Sequence, residues 1–137
     1  MKNAMRALGG IGLCLLLALM LPGCQRAKHR VLGKVTREGQ PLEWKTEASK
    51  ELSLLVLFVP FDRERDQNIY RADTDFQTGT YAVTVPAGKY RISVQQMDPD
   101  PRYDLLGFTY SIKESPIIRE VTGPGEMNID LPRELPN

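Results

Sequence analysis

From Val31 onward the chain is written in short runs in which apolar and polar side chains alternate, each bounded by Gly, Pro, Asp or Asn. The clearest is Thr80 to Val85, which puts Tyr81, Val83 and Val85 on one face. Pro86-Ala87-Gly88 then turns the chain, and Tyr90, Ile92 and Val94 share a face on the return. An apolar residue at every second position makes a one-sided strand and leaves a helix without a stripe, so this segment reads as a β-hairpin. Val31 to Thr36, Leu52 to Val59, Ile69 to Asp73, Ile117 to Val121 and Met127 to Leu131 supply five more runs. Leu52 to Val59 is apolar on both faces, as a central strand is, and Pro60 closes it. No run of ten residues carries a helical stripe. Seven short strands with turns between them predict an all-β fold, a single antiparallel β-sandwich.

Size and charge narrow the function. The 137 residues suit one domain, and 18 Lys and Arg against 17 Asp and Glu leave +1, which excludes a nucleic-acid binder working through a basic face. One His and two Cys offer little for a metal site or a Cys-His nucleophile. The sequence contains no G-x-S-x-G, Walker A loop or H-E-x-x-H. No catalytic residue, metal or cofactor is therefore assigned, and the chain is read as no enzyme.

Residues 1–23 differ in kind from the rest. Lys2 and Arg6 precede an apolar run from Ala7 to Leu21. As a helix that run covers roughly 22 Å, short of the ~30 Å hydrocarbon core, and it has no polar face to suit a surface helix of a globular domain. A basic start, an apolar stretch of this length and a small residue before the break describe an export signal. The break, Leu21-Pro22-Gly23-Cys24, resembles the lipobox of bacterial lipoproteins. That resemblance implies cleavage between Gly23 and Cys24, a covalent lipid on the Cys24 thiol, and acyl chains anchoring the protein in the membrane. Cys14 leaves with the signal, so the mature chain holds one thiol and no internal disulfide, and a thioether removes an otherwise exposed thiol. Several acyl chains at ~0.8 kcal/mol per buried CH₂ make a stable anchor. Gln25, where the lipoprotein sorting rule reads Asp as retention at the inner membrane, points to the outer membrane of a bacterial envelope. Residues 24–30, with Arg26, Lys28, His29 and Arg30, read as a lipidated basic tether, residues 31–132 as the domain and 133–137 as a tail.

Several runs resemble, in order, carboxypeptidase regulatory-like, transthyretin-like domains. Gly33-Lys34-Val35-Thr36 with Gly39-Gln40-Pro41-Leu42 is similar to their opening G-x-V-T-x-x-G-x-P-L, and Val56-Leu57-Phe58-Val59-Pro60 to their V-x-F-x-P strand. Thr74-Asp75, Gly79 and Tyr81 match T-D-x-x-G-x-Y, with Thr78 making the hairpin one residue longer. Val85-Pro86-Ala87-Gly88-Lys89-Tyr90 matches V-P-A-G-x-Y, and Val121 to Leu131 resembles the closing strand. The resemblance implies a prealbumin-like, Greek-key sandwich of about seven strands, used as a non-catalytic structural or protein-binding module. The chain departs from it in an insertion, Glu43 to Glu51, and in a long stretch from Asp98 to Glu114 without periodicity, either functional or locally ordered.

Two charged clusters read as local structure. Asp73-Thr74-Asp75-Phe76-Gln77 alternates oxygen side chains as calcium loops do, but its Gly79 arrives one place late and Thr84 stands where a closing Glu is required, so it reads as a hairpin. Asp62-Arg63-Glu64-Arg65-Asp66 reads as a solvated loop. The candidate site is aromatic: Trp44 in the insertion, with Tyr103, Phe108 and Tyr110 in the long stretch. Either these rings cover the open ends of the core, or they form one binding surface on loops of a rigid sandwich. The expected partners are membrane lipid through Cys24 and envelope proteins. The rival reading is a carbohydrate- or peptidoglycan-binding module using the same aromatics.

Overall fold

The computed structural model describes residues 26–42, 52–98 and 103–132. Gly23, Cys24 and Trp44 lie outside them, as do the insertion 43–51 and the tail 133–137. The described residues are all β, without a helix, in two sheets that stack as a sandwich.

The first sheet is built on β1 (Lys28–Arg37). It pairs antiparallel with β6 (Thr80–Pro86) along its lower length and with the two residues of β2 (Gln40–Pro41) at its top. β5 (Asp73–Asp75) continues the sheet beyond β6. On the other side, β9 (Gly125–Glu126) and β10 (Ile129–Leu131) run parallel to β1. The second sheet has the order β4 (Tyr70–Arg71), β3 (Ser53–Pro60), β7 (Gly88–Met97), β8 (Ile118–Val121), all antiparallel. β3 is therefore central in its sheet, as its two apolar faces require.

Three expectations change. The strand pattern expected at 69–73 divides between the sheets: Tyr70 pairs with Phe58 of β3, while Asp73 pairs with Ala82 of β6. Buried Ala72 is the crossing point, its N–H donating to Val56 O at 2.9 Å. The last run is likewise broken at Met127 and Asn128. There the Met127 N–H donates to Leu32 O and the Lys34 N–H to Asn128 Oδ1, so the chain follows β1 through a side-chain bridge. Third, β1 begins at Lys28. Lys28, His29 and Arg30 pair with Pro86, Val85 and Thr84, so the last three residues of the expected tether are sheet.

Between the layers lies a continuous core including Val31, Val35, Phe58, Tyr81, Tyr90, Ile92, Ile129 and Leu131. Phe58 is its aromatic centre, with the Tyr81 ring at 6.0 Å and the Tyr90 ring edge-on at 5.8 Å. Such pairs add about 0.5–1.5 kcal/mol each beyond their burial. Both phenols are satisfied: Tyr81 donates to Met127 O at 2.5 Å and Tyr90 to Pro86 O at 2.7 Å. Burial pushes the Tyr90 phenol up to about 12 and raises Tyr81 further still.

The register gives the sandwich two ends. One holds Lys28, the Pro86–Gly88 turn and the loop after Pro60; the other holds the β1–β2 turn, the start of β3 and the end of β7. At about 3.3 Å per residue, the ten residues of β1 separate them by roughly 33 Å.

Candidate functional site

The second end carries the stretch that sequence alone leaves open. β8 pairs only with Gly88–Arg91, so the upper half of β7 needs another partner for its outer edge. Residues 103–117 supply it, one hydrogen bond at a time. Ile92 N–H donates to Ile117 O and Val94 N–H to Tyr110 O, both at 2.9 Å, and Leu105 N–H donates to Gln96 O at 2.9 Å. The Ser115 hydroxyl closes on Ile92 O at 2.5 Å. A segment with no strand pattern of its own is ordered because an open sheet edge demands partners.

Asp104 organises the turn within this segment. The residue is 5% exposed, and its carboxylate accepts three backbone N–H groups: Gln96 and Leu106 on Oδ1, both at 3.0 Å, and Phe108 on Oδ2 at 3.1 Å. The Gly107 N–H donates to Asp104 O at 2.9 Å. To wrap one carboxylate so tightly, Gly107 and Phe108 both take left-handed backbone, with φ of 66° and 60°. Glycine does so freely; a phenylalanine there is strained by about 1–2 kcal/mol. The Phe108 ring nevertheless stands 47% exposed, with Tyr103 65% exposed and Leu105 also turned to solvent.

The four candidate aromatics separate accordingly. Tyr103 and Phe108 share one turn and face solvent. Tyr110 does not join them: it is 4% exposed, belongs to the core, and donates from its hydroxyl to Pro132 O at 3.3 Å. Burial raises its phenol above the usual tyrosine value. The reason is the carbonyl it supplies to Val94, which turns its side chain under the sheet edge. Trp44 lies outside the described residues. Its segment is bounded by Leu42 and Leu52, and Ser53 is register partner to Met97, itself bridged to Asp104. Leu105 and Asp104 were not singled out from sequence. An Asp three residues before a Gly is the signal that marks such a carboxylate-wrapped turn.

The outer face of the first sheet carries a concavity of about 710 Å³, floored by Leu32 and Ala82. Asp73 and Glu126 stand at opposite ends of the row that runs through these two residues. The Glu126 carboxylate accepts from Asn128 Nδ2 at 2.6 Å. It is open and shallow, and its only aromatic, Tyr81, belongs to the core beneath it. Among the described residues no cluster of three His, Cys, Asp or Glu is placed to hold a metal.

No known family profile matches the chain, and no curated protein matches it. Among solved structures it is similar to a DUF3823 family protein from Parabacteroides merdae, at 16% identity and a TM-score of 0.48 over 77% of this chain. The chain spans 46% of that protein's length.

Proposed function

We propose that the protein is a lipid-anchored component of the bacterial cell envelope. In this reading Cys24 carries the lipid at the outer membrane, and the sandwich is a non-catalytic module that binds another envelope protein through its Tyr103–Phe108 turn. The observation that carries the binding role is Phe108, a bulky residue held in left-handed backbone by a buried carboxylate with its ring in solvent. Strain of this kind persists where the surroundings impose it, and it gathers at sites that recognise something. Exposed aromatics on a rigid turn bind with little loss of rotamer freedom and serve as interface anchors. The insertion bearing Trp44 starts and ends at the same end of the molecule, which supports one continuous contact surface.

The anchoring half rests on the signal, the lipobox-like Leu21–Cys24 and the lone mature thiol. The same reading takes the sandwich as kin to carboxypeptidase regulatory-like domains, and the packing of residues that carry the resemblance supports it. Gly33, Tyr81 and the β9–β10 segment interlock: a Cβ on Gly33 would stand 2.0 Å from Met127 O and 2.6 Å from the Tyr81 ring.

In-cell photocrosslinking from a benzoylphenylalanine at position 108, with one at exposed Thr84 as control, tests the binding role. One or two defined envelope proteins captured from 108 and not from 84, and lost from a position-103 probe when Phe108→Gly is added, are expected. Glycan fragments alone would move the assignment to the carbohydrate-binding reading. Equal, diffuse capture from both positions would remove the turn as a site.

A further inference from the structure

The first end of the sandwich carries its own surface. Because β1 begins at Lys28, little free chain remains between the fold and the lipid-bearing residue proposed above. Arg26 and Lys28 line a cleft of about 690 Å³ with Arg65, Asp66 and Pro86, and the Arg26 charge acts on the Asp66 carboxylate. Only Gln25 stands between Arg26 and Cys24, two steps of chain and at most roughly 7 Å. A fold held that closely to an acyl-glycerol group meets the headgroups with whatever lies around Arg26.

What lies there is chemically suited to them. Phe61, the first residue beyond β3, is 53% exposed, and its N–H donates to Lys89 O at 2.8 Å. Lys89 Nζ sits 4.8 Å from the centre of the Phe61 ring. An aromatic ring beside an ammonium is the arrangement that sits well at a bilayer interface, ring toward the acyl boundary and charge among phosphates. Arg26, Lys28, Arg63, Arg65 and Lys89 bring five positive charges to this end. Against them stand Asp62, which pairs with Arg65 at 3.3 Å, Glu64, Asp66 and, opposite Lys89 in the register, Glu120. Asp66 is itself occupied, accepting from the Tyr70 hydroxyl at 2.6 Å and from Asn68. The surplus is small, so long-range steering contributes little. The tether does the work, since it holds the surface at an effective concentration that weak contacts can use.

We propose that this end, with Phe61 and Lys89 at its tip and Arg26, Lys28 and Arg65 beside them, docks on the anionic headgroups of the membrane that holds Cys24. The inference deepens the anchoring reading and rests on it. It fixes the orientation of the module: the Tyr103–Phe108 turn, roughly 33 Å away along β1, faces away from the membrane that carries it.

The test uses full-length lipidated protein, purified from bacterial membranes and reconstituted in vesicles of phosphatidylethanolamine and phosphatidylglycerol with or without brominated acyl chains. In a Trp44→Phe background, a Phe61→Trp reporter is expected to lose emission in brominated vesicles, while a Tyr103→Trp reporter is unchanged. Vesicle binding is also expected to slow amide deuterium uptake over 61–69 in the unaltered protein and to leave 103–110 as it was. Equal quenching of the two reporters, or quenching at 103 alone, would overturn the docking while the anchor stands, provided the mass of the peptide beginning at Cys24 includes the lipid. A lipid-free peptide would overturn the anchoring reading and the docking with it.

Discussion

Gly33 shows how one position ties three strands together. Its place in β1 faces the core, where the Tyr81 ring crosses beneath it to reach Met127 O, so the backbone itself serves as the floor for the ring. Gly33→Ala would drive a methyl into both, a clash with backbone that cannot be relieved by a rotamer change. A loss of about 3 kcal/mol is expected, seen as a fall in Tm of more than roughly 10 °C, whereas Gly123→Ala, with open space around it, leaves Tm unchanged. At the other end of β1, Glu38 and Gly39 form a two-residue turn with both φ positive, 51° and 73°. Asp130 braces it, accepting from Gly39 N–H and the Thr36 hydroxyl, each at 2.8 Å. The Gly39 bond, then the Thr36 bond, hold its carboxyl below the usual aspartate value. A depressed folded pKa gives stability that is complete above the unfolded value near ~3.9 and fades as pH falls through the folded one. Asp130→Asn is therefore expected to lower Tm at pH 7, with the gap from wild type closing in acid melts below about pH 3.

At the scale of elements, the instructive case is the edge of β7. A strand of ten residues whose neighbour covers only four must satisfy the remainder by other means. The 103–117 segment does so with single hydrogen bonds and buries Leu106, Tyr110 and Ile117 as it passes. Asp104 is the residue on which that arrangement hangs. Asp104→Ala strips three N–H groups of their acceptor, and about 3 kcal/mol of destabilisation is expected, with early deuterium uptake confined to 96–110. Phe108→Gly behaves differently. Relief of the left-handed strain offsets the lost contacts of a half-exposed ring, so Tm stays within a few degrees while crosslinking to a partner is lost.

Across the whole molecule, the proposed reading divides the labour between the two ends of β1, one to hold the protein in place and one to present a surface. One end adjoins the residue read as the lipid carrier; the other presents Tyr103, Leu105 and Phe108. Globomycin, which blocks lipoprotein signal cleavage, is expected to leave a heavier precursor in the native host. Cys24→Ser is expected to abolish lipid labelling while the sandwich keeps its Tm.

The periodic strands, the hairpin at Pro86–Gly88 and the core positions of Tyr81 and Tyr90 were legible in the chain, because alternation and turn chemistry are local and each strand carries its own inside and outside. The spacing of Gly33, Gly39 and Tyr81 was legible, without its reason. What local pattern does not contain is the partner. Ala72 marks a change of sheet only because β3 and β6 stand on either side of it. Lys28 to Arg30 are strand rather than tether because β6 is long enough to meet them. Tyr110 is buried and Phe108 exposed, two residues apart, because β7 lacks a neighbour there and Asp104 turns the chain to supply one. Inside and outside in an aperiodic segment are decided by the hydrogen bonds that another element needs, and those exist only once the sheets have formed.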